Sequence, residues 1–82
     1  MENKVKVNTK EFLSKYNENY NYLYNTEDTQ YNEYINIFDN EMKKNEDFKK
    51  MVIDFAKYRG DYLTSDRECI AFIMTLKERE NL

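Results

Sequence analysis

The chain contains no His, no Pro and no Trp, and only one Gly and one Cys in 82 residues. Without His, and with Cys69 alone, the usual zinc, haem and iron–sulfur ligand sets cannot be assembled within one chain. A single glycine cannot supply a Walker loop or a dinucleotide-binding fingerprint. The lone thiol has no partner for an internal disulfide and suits a reducing compartment. The usual imidazole base is missing, and no Asp/Glu cluster stands at a recognised metal spacing. Asp39-Asn40-Glu41 lacks the glycine and closing glutamate of a calcium loop. Neither enzymatic activity nor a cofactor is therefore expected.

Long apolar runs are missing too. The longest, Cys69 to Met74, has six residues, far short of the roughly 20 needed to span a membrane. The opening MENKVKVNTK is polar, and no apolar stretch of the signal-peptide kind follows it. The reading is a cytoplasmic protein with no membrane partner.

What is present is charge and aromatic surface: 35% of residues are charged and 16% aromatic, with eight Tyr and five Phe. The net charge is −3, but it is unevenly spread. Residues 25–48 hold seven acidic side chains (Glu27, Asp28, Glu33, Asp39, Glu41, Glu46, Asp47) against Lys43 and Lys44. A phosphate backbone would be repelled there and a basic partner attracted, so direct nucleic-acid binding is not expected.

With so few obligatory breaks, helix ends must be marked by caps. A first helix is expected from Thr9 to Tyr24, with Asn8 as N-cap and Glu11 completing a capping box. Its stripe is Phe12, Tyr16, Tyr20 and Leu23, although Tyr20 to Tyr24 also alternates as a strand would. A second helix is expected from Glu27 to Lys44, capped by Thr26, with Tyr31, Tyr34, Ile35, Phe38 and Met42 on one face. The third should run from Glu46 to Arg59, capped by Asn45 and ended by Gly60, with Phe48, Met51, Val52, Phe55 and Tyr58 or Arg59 inward. The fourth, from Asp66 to Glu80, opens on a Ser65/Glu68 capping box. Its Cys69, Ile70, Phe72, Ile73, Met74 and Leu76 cover more than half the circumference, which makes it the most buried. The fold class is all-α: one small domain over residues 1–82, a compact bundle of three to four helices, with a short strand or loose arm at Val5 and Val7.

Three surfaces invite a functional reading. On the second helix Asp28, Asn32, Asn36 and Asp39 share a polar face, with Glu33 and Glu41 beside it. Carboxylates on a rigid helix can imitate a row of phosphates; a solvated face with dipole-favoured acids is the plain alternative. The Tyr- and Asn-rich stretch 16–36 carries more phenol rings than a domain of this size can bury, and Tyr is favoured at interface centres. The third and fourth helices, joined through Gly60, have the outline of a helix-turn-helix, but Ser65-Asp66-Arg67-Glu68 would bring two acids to DNA. Arg59-Gly60-Asp61 spells an integrin-binding tripeptide, a chance match whose glycine already has a capping role. Cys69 reads as a small buried hydrophobe.

In length, charge and composition the chain resembles the small acidic proteins of low-GC phages and other mobile elements. Many of those bind and inhibit a host protein, anti-CRISPR and other anti-defence proteins among them. The resemblance rests on those properties alone and carries no residue roles. It implies a binding-only inhibitor or modulator whose partner is a larger protein with a basic, nucleic-acid-binding groove. The contact residues expected from the sequence are Glu27, Asp28, Glu33, Asp39, Glu41, Tyr22 and Tyr31. The alternatives are a self-associating module, with surplus Tyr surface buried in a homodimer, and a small helix-turn-helix regulator.

Overall fold

A computed structural model describes residues 6–24 and 31–80, and of Tyr24, Tyr31 and Glu80 it describes the backbone alone. Four helices follow in order: α1 (Lys10–Tyr24), α2 (Tyr31–Lys44), α3 (Glu46–Arg59) and α4 (Asp66–Glu80). No strand occurs among the described residues. The Cα radius of gyration, 12.0 Å, is about what a packed chain of this length should have.

The ends of α3 are set by local hydrogen bonds. Asn45, in extended conformation, accepts the Phe48 N–H on its side chain and opens the helix. The same residue closes α2, its N–H donating to the Glu41 carbonyl at 2.9 Å. One residue thus ends one helix and starts the next, which bends the chain sharply between them. Gly60 has φ +87°, a left-handed conformation that costs an L side chain energy. Both Gly60 and Asp61 donate their N–H groups to the Ala56 carbonyl, at 2.8 and 3.1 Å.

The start of α4 is the expected capping box. Ser65 Oγ accepts the Glu68 N–H, and the Glu68 carboxylate accepts the Ser65 N–H in return. At α1 the cap shifts by one residue. Thr9 Oγ1, not Asn8, accepts the Phe12 N–H. Glu11 therefore reaches no cap and lies 3.6 Å from Arg79 on α4. The expected start of α2, with its Thr26 cap, lies outside the described residues.

The core is aromatic. Phe72 on α4 is fully buried. Its ring meets Phe12 of α1 at 5.6 Å, Phe38 of α2 at 6.4 Å, and Phe48 and Phe55 of α3 at 5.9 and 5.3 Å. All five phenylalanines of the chain therefore meet around one ring, mostly edge-on or tilted, as ring quadrupoles favour. Ile70, Ala71, Ile73, Thr75 and Leu76 are buried with Phe72, so α4 is the most enclosed helix, as its composition implies. It packs between α1 and α2, and α2 also packs on α3.

The pairs Glu11–Arg79, Lys15–Glu78 and Asn19–Thr75 run down α4 as they climb α1, so the two helices are antiparallel. The alternation at Tyr20 to Tyr24 resolves as helix, because Tyr16, Asn19 and Leu23 go inward at helical spacing while Tyr22 stays out. Val7 is buried against the core but belongs to no strand; Val5 lies outside the described residues.

Candidate functional site

Among the described residues, Glu33, Asp39, Glu41 and Tyr22 of the sequence-derived contact set do not share one face. Glu27 and Asp28 lie outside the described residues, as does the side chain of Tyr31. Glu33 and Asp39 are exposed on α2, on either side of a row formed by Asn32, Asn36 and Asn40 at four-residue spacing. Lys43 and Lys44 are exposed at the end of the same helix and offset those two carboxylates. Glu41 is half-buried on another flank, where its carboxylate accepts a hydrogen bond from Asn45 Nδ2 at 2.9 Å. Tyr22 is 51% exposed and belongs to α1.

The described tyrosines of α1 and α2 divide along the expected stripes. Tyr16 is buried, while Tyr20 and Tyr34 are half-buried against the core. Of the two residues open for the inward position, Tyr58 and Arg59, Tyr58 is 42% exposed, and Tyr62 in the loop after α3 is 68% exposed. Arg59, the other residue expected there, takes the inward position at the end of α3 together with Ala56.

Glu41 takes part in a different arrangement. At the bend between α2 and α3, beside the end of α4, a trough of about 320 Å³ opens to solvent. Phe48, Ile73 and Leu76 form its buried floor, and Ile37 and Met51 its partly exposed walls. Glu41 and Asp47 stand on its rim, with Lys77 across from them on α4. Neither Asp47 nor Lys77 forms an ion pair among the described residues. The apolar stripes of α2, α3 and α4 were legible in the sequence; their meeting around an opening was not.

A second polar cluster ties the other end of the bundle together. Arg59 turns inward at the end of α3. Its guanidinium donates to Tyr16 Oη at 3.0 Å, to Glu68 Oε2 at 3.2 Å, and to the carbonyls of Asp61 and Tyr62. It also lies over the Tyr16 and Phe55 rings. Burial pushes the Glu68 carboxyl up, but hydrogen bonds from Thr64, Ser65 and Arg59 outweigh it and leave the group below its ordinary value. Burial raises the Tyr16 phenol well above its usual range. These groups are engaged with one another, so they hold the fold. The same geometry occupies the arginine of Arg59-Gly60-Asp61 within its own loop, away from any receptor.

The helix-turn-helix outline fares poorly as a DNA reader. A recognition helix must offer a full face to the groove, whereas only Asp66, Lys77 and Glu78 of the described α4 side chains are exposed. Among the described residues no group of three or more His, Cys, Asp or Glu side chains could hold a metal ion. No described helix is long and apolar enough to cross a membrane. No protein-family model matches the chain, and no curated protein and no solved structure is significantly similar to it.

Proposed function

We propose that the protein acts by binding alone, as a modulator or inhibitor that docks its acidic middle onto a basic, nucleic-acid-binding groove of a larger protein. The character is that of small acidic phage inhibitors, anti-CRISPR proteins among them. The observation that carries the reading is the set of exposed carboxylates on α2 and at the start of α3. Glu33, Asp39 and Asp47 are exposed, and none forms an ion pair among the described residues. Glu41, which accepts from Asn45, and Glu46, which lies 3.9 Å from Lys49, stand near them, and Glu27 and Asp28 extend the acidic run in sequence. Such a field accelerates encounter with a cationic surface and sets its orientation. Tyr22 supplies exposed aromatic area on α1.

The test is capture of partners by tagged protein from a low-GC bacterial lysate, with and without nuclease, followed by charge reversal. A directly bound basic protein, retained after nuclease treatment, is the expected result. The combined D28K, E33K and D39K variant should bind it about tenfold more weakly or worse, because like charges now face each other. Its affinity should also depend less on salt. Unchanged affinity would remove this reading.

Self-association is the second reading, favoured by the exposed Tyr58, Tyr62 and Ile53 on and beside α3. Sedimentation distinguishes the two, since a dimer burying those rings forms without any partner.

A further inference from the structure

We infer that the trough at the α2–α3 bend is the docking site for an amphipathic helical segment of the partner. That segment presents one bulky aliphatic or aromatic side chain with Lys or Arg beside it. The inference rests on the binding reading above and names its site and the chemistry it takes. At about 320 Å³ the trough is at the small end of ligand-sized pockets, which start at roughly 300 Å³. It suits an anchoring side chain better than a cofactor. Its floor is apolar, and its wall residue Met51 is unbranched, so it can adapt to the shape of an anchor.

The rim selects the flanking groups. Glu41 is held by Asn45 Nδ2, and Asp47 stands exposed in the first turn of α3, so two carboxylates line the opening. Both line the same opening, where a Lys or Arg beside the anchor would meet them. Lys77, on the opposite edge, suits an acidic side chain or the carbonyl end of the docked helix. Apolar floor and polarised rim together are the features by which grooves hold amphipathic helices.

The probe is a synthetic peptide of roughly 15 residues, long enough to form a helix, with leucines on one face and lysines flanking them. A twin carries glutamates in place of the lysines. Titration is followed by methyl and amide NMR of the intact protein. The lysine peptide should shift Ile37, Met51, Ile73 and Leu76, and the glutamate twin should bind at least about tenfold more weakly. The E41K and D47K changes together should produce a similar loss, and M51W should block the trough. Unchanged amide dispersion and thermal melts would show that each variant still folds.

Shifts around Glu33 and Asp39 with silent trough methyls would overturn the docking site and leave the binding reading standing. No shift in the trough at millimolar peptide, or equal binding of the glutamate twin, would also overturn it. Concentration-dependent shifts at the trough and Ile53 without peptide would assign the trough to a second copy, whose Ile53 lies between Lys50 and Lys57, and would overturn the assignment to a foreign segment.

Discussion

Arg59 and Glu68 face each other at 3.2 Å across the turn between α3 and α4, each with 16% of its side chain exposed. Glu68 has its carboxyl held below the ordinary value despite burial, because it accepts from Thr64, Ser65 and Arg59. A depressed folded-state value means that the unfolded chain binds the proton first. The contribution of Glu68 is then complete above the unfolded carboxylate pKa, about 4.3, and is lost as pH falls through the lower folded value. Glu68→Gln keeps the shape and removes the charge. It should cost about 1–3 kcal/mol at neutral pH and flatten the acid limb of stability. Urea melts at neutral and acid pH measure both effects; an unchanged acid limb would contradict the assignment.

Asn19 and Thr75 are buried and joined by a 2.8 Å hydrogen bond between α1 and α4. The Thr75 hydroxyl in turn donates a hydrogen bond to the Ala71 carbonyl at 2.7 Å. Thr75→Val leaves the Asn19 amide poorly satisfied, and Asn19→Leu strips Thr75 of a donor; each should cost about 1–2 kcal/mol. The double variant should cost clearly less than the two single changes together, since neither orphan remains. A double-mutant cycle from denaturant melts gives the coupling, and strict additivity would show that the bond is energetically idle.

Phe72 is the ring on which all four helices converge, and Phe72→Ala should cost about 3–5 kcal/mol. Domains of this size have only about 4–12 kcal/mol to lose, at roughly 0.05–0.15 kcal/mol per residue. That variant should lose from about a quarter of its stability to all of it. Phe72→Leu, closer in volume, should cost about 1–1.5 kcal/mol and stay folded. Circular dichroism melts of the two variants check the ordering.

Cys69 should be a slow nucleophile. Burial first, then the nearby charges of Asp66, Glu68 and Asp39, push its thiol from 9.0 up to about 11. The thiolate fraction at neutral pH then falls about a hundredfold relative to the unfolded chain, and alkylation by iodoacetamide should slow by a similar factor. The raised value favours the native state fully below pH 9 and loses that effect as pH climbs through 11. Cys69→Ser should therefore soften the alkaline decline in stability, leaving the part due to Tyr16, whose raised phenol acts in the same direction. Alkylation as fast in the native as in the unfolded protein would refute the burial argument.

The sequence by itself determined the helices and most of their ends. α3 and α4 have the expected bounds, and Asn45, Gly60 and the Ser65/Glu68 pair act as their residue types require. Those features are legible because each is settled within one turn of chain, by a hydrogen bond to a neighbour three to five residues away. Even there a competitor can win: Thr9 took the cap that Asn8 was equally able to supply.

Only the tertiary structure decided where long-range partners lie. The spacing of Phe12, Tyr16, Asn19 and Leu23 puts an amide on the inward stripe, and Thr75 interrupts an apolar run. Both were signals of a buried polar bond, but neither names its partner 56 residues away. The spread of Glu33, Asp39 and Glu41 over separate flanks of α2, the choice of Arg59 over Tyr58 as the inward residue and the opening of the trough depend on how each helix is rotated about its axis. That rotation is chosen by the common packing of five phenylalanines drawn from all four helices. No single segment contains enough of those contacts to specify it.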